Sequence, residues 1–195
     1  AVEHYPKLSV EEVRERLTSI LLLYWNDILP HGSLRIDKDV IHVNPLPTPW
    51  NKGGIMADSG NREAKPYRDG FASYGCCEDS ISGEDPSKVS GTGTFLARYI
   101  GVQVVGNNLA DFARVALKYT IGNKEVGLNI VTNGTGKLGQ HELERWVRKN
   151  IPLGINDAIS HFNLRNPSLY RDIVASADFF HNSGLPWNRF EVKYS

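Results

Sequence analysis

Lys88 lies in Gly83-Glu84-Asp85-Pro86-Ser87-Lys88-Val89, a loop leading into a helix start. Asp58 lies in Gly53-Gly54-Ile55-Met56-Ala57-Asp58-Ser59-Gly60, with Lys65 a short way on. Exposed backbone N–H groups, a helix N-terminus and lysines together favour a bound polyphosphate. Asp85 suits an N-cap and Pro86 the first helical position, so Ser87, Lys88 and Val89 are expected to form the first turn. Lys88 would then sit beside unsatisfied N–H groups that stabilise an anion, although an ordinary capped surface helix carries the same signature. Asp58 among glycines either holds a ligand's ammonium group or caps a turn. Trp50 follows Pro45, Pro47 and Pro49 and precedes Asn51-Lys52-Gly53-Gly54, where it either stacks on a base or covers a loop.

Other chemistries are excluded by spacing. Gly91-Thr92-Gly93 lacks the third glycine and the preceding strand of a dinucleotide fingerprint, and no Walker lysine follows a glycine loop. Histidines 4, 31, 42, 141, 161 and 181 are scattered, with none at helical metal-ligand spacing, and no serine sits in a nucleophile elbow. Cys76 and Cys77 are adjacent, a pair that rarely bridges and that lacks companions for zinc; a reducing, intracellular setting is expected. An acyl-enzyme hydrolase and a zinc enzyme are therefore set aside. Lysine plus arginine equal aspartate plus glutamate at 22 each, so net charge gives no argument for nucleic acid or a membrane surface. The longest apolar run, Ile20 to Trp25, is too short to span a bilayer, and Glu3, His4, Pro6 and Lys7 do not read as a signal peptide.

The elements that must position these residues are legible in part. Ser9 and Glu12 fit a capping box for a helix from Val10 to Leu29, whose apolar face is Val10, Val13, Leu17, Ile20, Leu21, Tyr24 and Ile28. Val40-Ile41-His42-Val43 reads as a short strand. Asn44 to Gly93 is crowded with Gly, Pro, Ser and Asp, which suggests a site built from irregular backbone. Thr94 to Val105 reads as a helix closed by Gly106-Asn107. Strands are expected over Ala113–Ile121 and Glu125–Thr132, a turn at Asn133-Gly134-Thr135-Gly136, and helices over Glu142–Lys149 and Gly154–Phe162. Strands followed by helices on one side indicate an α+β layered fold with an antiparallel or mixed sheet.

Together these segments resemble S-adenosylmethionine synthetase (methionine adenosyltransferase), specifically the later half of the family chain. The resemblance is carried by Asn44-Pro45 leading to Gly53-Gly54-Ile55-Met56-Ala57-Asp58-Ser59-Gly60, by Asp85-Pro86-Ser87-Lys88-Val89 and by Ala97-Arg98-Tyr99. Leu109-Ala110-Asp111, Tyr119-Thr120-Ile121-Gly122 and Leu185-Pro186-Trp187 complete it. It implies βαβ-containing repeats with flat mixed sheets and helices on one face, in an incomplete set. Residues 1–52 would be the end of a first domain, 53–93 part of the central domain with its glycine-rich and DPSK-type loops, and 94–195 a C-terminal α+β domain. It further implies a dimer with active sites between subunits, where methionine sulfur attacks the ribose C5′ of ATP and tripolyphosphate leaves and is hydrolysed. Magnesium and potassium assist.

By the resemblance, Asp58 falls on an aspartate of the methionine side, Lys65 on a phosphate-gripping lysine and Lys88 on the lysine of the DPSK run. Trp50 falls on an aromatic that stacks on adenine, and Ile121 on an apolar residue lining the substrate pocket. Gly53 and Gly54 belong to the substrate-binding loop. Such a displacement needs its leaving group held and neutralised, which suits lysines, magnesium and oriented N–H groups.

The departures are equally informative. Ala64 stands where the family has a phosphate-binding arginine, with Arg62 two residues away; Glu84 replaces a phosphate-binding lysine and Ser90 a magnesium-linked aspartate. One like-charge contact at about 4 Å costs several kcal/mol even at a screened dielectric. The family's histidine-proline-aspartate-lysine segment and gating loop are not found in this sequence. The expectation is a cytoplasmic subunit of a heteromeric synthetase, inactive alone, which donates Lys65, Asp58 and Lys88 to a site shared with a larger catalytic partner. Mg2+ and K+ would be bound mostly through that partner, which is also expected to cover Val115, Leu117 and Tyr119 on a broad sheet. The alternative is a non-catalytic partner that regulates or stabilises a synthetase. A piece of a full-length enzyme is disfavoured by Glu84 and Ala64.

Overall fold

The computed structural model describes residues 2–4, 7–28, 36–49, 52, 84–123, 126–176 and 179–194. They divide between two units, Ala1–Asn61 with Thr120–Lys124, and Arg62–Tyr119 with Glu125–Ser195.

In the smaller unit, helix α1 (Val10–Leu23) starts where its capping box demands. Glu12 N–H donates to Ser9 Oγ at 3.1 Å, and Ser9 N–H donates to Glu12 Oε2 at 2.9 Å. Val10 and Val13 are buried beneath it. The α-geometry stops at Leu23, where the Tyr24 N–H is shared between the Ile20 and Leu21 carbonyls, and the chain continues as a π-turn over Tyr24–Ile28. The strand expected over Val40–Val43 does not form. Lys38–Val40 is a 3₁₀ turn, and the carbonyls that follow go to a side chain instead of a neighbouring strand. Arg14 Nε donates to the Val43 carbonyl at 3.1 Å and Arg14 Nη2 to the Leu46 carbonyl at 2.8 Å. Asn44, in left-handed backbone at φ 40°, closes this corner by exchanging hydrogen bonds with the backbone of Val2.

The larger unit is organised by helix α2 (Val89–Gly106), which begins five residues before the expected Thr94. Strands β1 (Arg114–Lys118) and β2 (Gly127–Val131) pair antiparallel, with Val115 opposite Ile130 and Leu117 opposite Leu128. Among the described residues they form a two-stranded sheet, within the expected α+β class. Asn133 and Gly134 take left-handed φ angles of 50° and 80° in the predicted turn. Helices α3 (Gln140–Asn150) and α4 (Ile155–His161) follow as the periodicity indicates; α5 (Pro167–Ser176) was not foreseen. The chain returns through a 3₁₀ turn at Pro186–Asn188.

Val115, Leu117 and Tyr119, expected beneath a companion chain, are partly buried within this chain. Val115 and Leu117 pack against the chain's own core, with α2, and the outward residues of β1, Arg114, Ala116 and Lys118, are exposed. Period-two alternation allows one apolar face, and α2 already covers it. Tyr119 lies over Gly93, where an added Cβ would meet its ring at 3.2 Å, so it too is covered from within.

The core centres on Trp187, which is fully buried and stacks on Phe95 of α2 with ring centroids 3.9 Å apart. Its indole N–H donates to the Phe179 carbonyl at 2.6 Å. Beyond it the C-terminal tail is tied along α2 by residues four apart. Tyr99 Oη donates to Glu191 Oε2 at 3.1 Å. Gln103 Nε2 donates to the Arg189 carbonyl at 2.7 Å, and its Oε1 accepts from Glu191 N–H at 2.9 Å and Val192 N–H at 2.8 Å. Asn107 Nδ2 donates to the Val192 carbonyl at 2.7 Å, and its Oδ1 accepts from Tyr194 N–H at 2.6 Å. Gly106 lets the tail pass, since a Cβ there would lie 2.4 Å from the Phe190 ring.

Trp187→Ala should cost about 3–5 kcal/mol in urea unfolding, because it removes both the stacked ring and the buried indole hydrogen bond; a loss under about 1 kcal/mol would contradict this packing. Burial pushes the Tyr119 phenol from 10.0 up to about 12. The folded chain therefore holds that proton more tightly, so its contribution is complete below pH 10 and is lost as pH rises to 12. Tyr119→Phe should make the alkaline decline in stability shallower across that window.

Candidate functional site

The described part of the candidate site is the turn from Glu84 to Lys88 and the first turns of α2. Asp85 is not the N-cap. Its Oδ1 accepts from Ser87 N–H at 2.8 Å and its carbonyl accepts from Lys88 N–H at 2.9 Å, which makes a β-turn of the Asp-Pro-Ser-Lys run. Proline and a short acceptor favour that turn locally, and the helix is delayed until Val89, with Lys88 at the cap position and no side-chain cap bond. Thr92 Oγ1 donates to the Pro86 carbonyl at 2.5 Å and fastens the turn to the helix.

Each formal charge of the turn has a partner of opposite sign. Lys88 Nζ lies 2.7 Å from Glu84 Oε2, with the side chains 43% and 24% exposed. Arg165, far along the chain after α4, donates from Nη1 to Asp85 Oδ2 at 3.0 Å and from Nη2 to Asp85 Oδ1 at 3.4 Å. The Ser87 hydroxyl and N–H, then Arg165, hold the Asp85 carboxyl well below the usual carboxylate range. Two carboxylates thus balance two cations, and the excess of positive charge that a polyphosphate needs is not present among these four residues. Ser90 Oγ, just inside the helix, is buried and takes part in no hydrogen bond among the described residues.

The turn does not fit a magnesium ion on these residues. Magnesium prefers charged oxygen ligands in octahedral array, yet Glu84 and Asp85 are engaged with cations and Ser90 brings only a neutral hydroxyl. Among the described residues no group of three or more His, Cys, Asp or Glu is placed to hold a metal.

Of the residues predicted for the site, Lys88 and Ile121 are described. Ile121 belongs to the smaller unit, 59% exposed in the turn Thr120–Asn123, which is closed by Asn123 N–H donating to the Thr120 carbonyl at 2.9 Å. Gly122 takes a left-handed φ of 85° there, which suits glycine, and an added Cβ would also press on Leu46 and Pro45. Trp50, Gly53, Gly54, Asp58, Arg62 and Lys65 lie outside the described residues, as does Ala64. Arg165 was missed by the sequence reading, and no local signal marks a partner eighty residues away. The Glu84–Lys88 pair did have a signal: opposite charges four residues apart often meet.

Comparisons with known proteins agree on one family. The family model for the S-adenosylmethionine synthetase C-terminal domain matches residues 52–189. S-adenosylmethionine synthase of Zymomonas mobilis is 30% identical over 199 residues, covering 98% of this chain and 50% of the relative. That of Salinibacter ruber is 33% identical over 190 residues, covering 96% and 47%. A solved structure, described as an unusual S-adenosylmethionine synthetase from Campylobacter jejuni, superposes with a TM-score of 0.58 at 22% identity, over 96% of this chain and 49% of that one. The fold is therefore shared. The chain spans about half the length of the curated relatives it matches.

Because Glu84 neutralises Lys88, Glu84→Gln should raise the chain's affinity for tripolyphosphate at least about fivefold, one screened charge being worth about 1–4 kcal/mol at 4 Å. Its melting should barely change, since a partly exposed pair contributes about 0–1 kcal/mol. Unchanged affinity in isothermal titration would show that Glu84 does not control anion binding at this turn.

Proposed function

The chain belongs to the S-adenosylmethionine synthetase family, and from that premise we propose that it is one subunit of a heteromeric S-adenosylmethionine synthetase, inactive by itself. Its companion is a larger catalytic synthetase polypeptide, and the working site lies between the two chains in the cytoplasm. There the methionine sulfur attacks ribose C5′ of ATP as the C5′–O bond breaks. Tripolyphosphate departs with the bonding pair and is hydrolysed to diphosphate and phosphate. Lys65 and Lys88 face the phosphate chain, Asp58 the methionine ammonium and Trp50 the adenine. Gly53 and Gly54 lend backbone N–H groups, Arg62 stands near the place vacated at Ala64, and Ile121 adds apolar surface. Mg2+ and K+, held mostly by the companion, supply charge neutralisation when bound.

The observation that carries this reading is the Glu84–Lys88 contact. A retained lysine already held by a carboxylate cannot grip triphosphate unaided, so a second chain must bring cations, or displace Glu84, before this one can serve. A further observation supports a companion at a different surface. The expected sheet face is partly covered from within, whereas Ile20, Leu21, Leu23 and Tyr24 of α1 and its π-turn are 45–59% exposed. Apolar side chains clustered at one helix end mark an interaction surface.

Intact-mass analysis after co-purification should show this chain with a larger polypeptide. The chain alone should make no S-adenosylmethionine, and mixing should restore synthesis; a companion that is fully active alone would point instead to a regulatory or stabilising role. Lys65→Ala in the mixed complex should lower turnover on the order of a hundredfold, as loss of a transition-state donor does. Leu21→Asp should weaken association without unfolding the chain, as judged by circular dichroism and gel filtration.

A further inference from the structure

A cavity of about 290 Å³ opens between α2, the end of α3, α4 and the C-terminal tail. Leu96, Ile151, Pro152, Ala158, Phe162 and Val192 make its apolar wall. At its polar side, Glu191 Oε2 accepts from Tyr99 Oη at 3.1 Å and lies 3.4 Å from His161 Nε2. Glu191 Oε1 accepts no hydrogen bond among the described residues. The carboxylate is held in place, because its own backbone N–H is bound by the fully buried Gln103. Burial, then the neighbouring carboxylate, raises the Tyr99 phenol above its ordinary value, so it stays a donor to Glu191.

The charge and the rings around this cavity favour one class of guest. Asp157 adds a second carboxylate to the lining, and no lysine or arginine takes part in it. Tyr99, His161 and Phe162 meet edge to face, with centroids 5.0–5.4 Å apart; Tyr99 and Phe162 are buried, and His161 is the ring that reaches the surface beside the carboxylate. A free acceptor oxygen, net negative charge and aromatic rings attract a cation, while the apolar wall favours a hydrophobic body.

We propose that this cavity is a binding site for a small organic amine: an ammonium group donating to Glu191 Oε1, with a single ring or short apolar chain against Pro152 and Val192, the accessible apolar lining. Its volume admits little more. Its lining shares no residue with the phosphate turn, and it is tested on this chain alone, so its failure and that of the synthetase reading are separable.

The test uses the 195-residue chain with 2-phenylethylamine, and the near-isosteric anion 3-phenylpropionate as comparison, followed by amide NMR titration. The amine should shift the amides of Ala158, Ile159 and Val192 and bind at least tenfold tighter than the anion. Glu191→Gln should abolish that preference. Because this variant also touches the tail, Ala158→Leu supplies a second check: it fills the cavity and should abolish binding while the melting profile stays cooperative. Equal binding of amine and anion, shifts confined to other surfaces, or full binding to folded Ala158→Leu would overturn the proposal.

Discussion

A primary amide with no access to water must find partners for both its ends, and Gln103 meets that demand in a way that shapes the larger unit. Buried on α2, it satisfies its oxygen and nitrogen with three backbone groups of residues 189–192. Leaving such a group unpaired costs more than the net gain from pairing it, so the tail is committed to this path. Tyr99 and Asn107, one helical turn to either side, continue the same seam. Where the tail runs then decides two further things: Trp187 is delivered under Phe95, and Glu191 is delivered to Tyr99 and His161. The stability of the core and the chemistry of the cavity share one origin.

The opposite end of α2 follows a different logic. Its entry turn is built from charged residues, yet each faces its opposite: Glu84 with Lys88, and Asp85 with Arg165. A helix N-terminus beside a lysine attracts anions, and here carboxylates of the chain itself stand next to those cations. The pattern of residues is retained while its charge balance has moved.

How much was legible depended on the range of the interaction. The capping box of α1 was readable because Ser9 and Glu12 are three residues apart, and Asn133-Gly134 because left-handed backbone favours those residues. The antiparallel pair was readable from alternation. By contrast, Val40–Val43 looked like a strand by composition, but β-propensity without a partner strand forms nothing, and Arg14 had already taken the local carbonyls. Asp85-Pro86 likewise satisfied two rules at once, a helix cap and a β-turn, and the side-chain bond to Ser87 N–H selected the turn.

The sequence by itself determined the α+β class, the family, the positions of five of the regular elements to within a few residues, and the identity of the lysine at the α2 entry. The class and the elements follow from periodicity, capping and turn chemistry, which act within about four residues, and the family follows from the order and spacing of its motifs. Only the tertiary structure decided that β1 turns its apolar face inward, that Arg165 neutralises Asp85, and that Gln103 holds the tail. The apolar end of α1 is left exposed for the same reason. Each of these depends on which distant segments compete for one surface or one hydrogen-bonding group, and that competition is settled by packing of the whole chain.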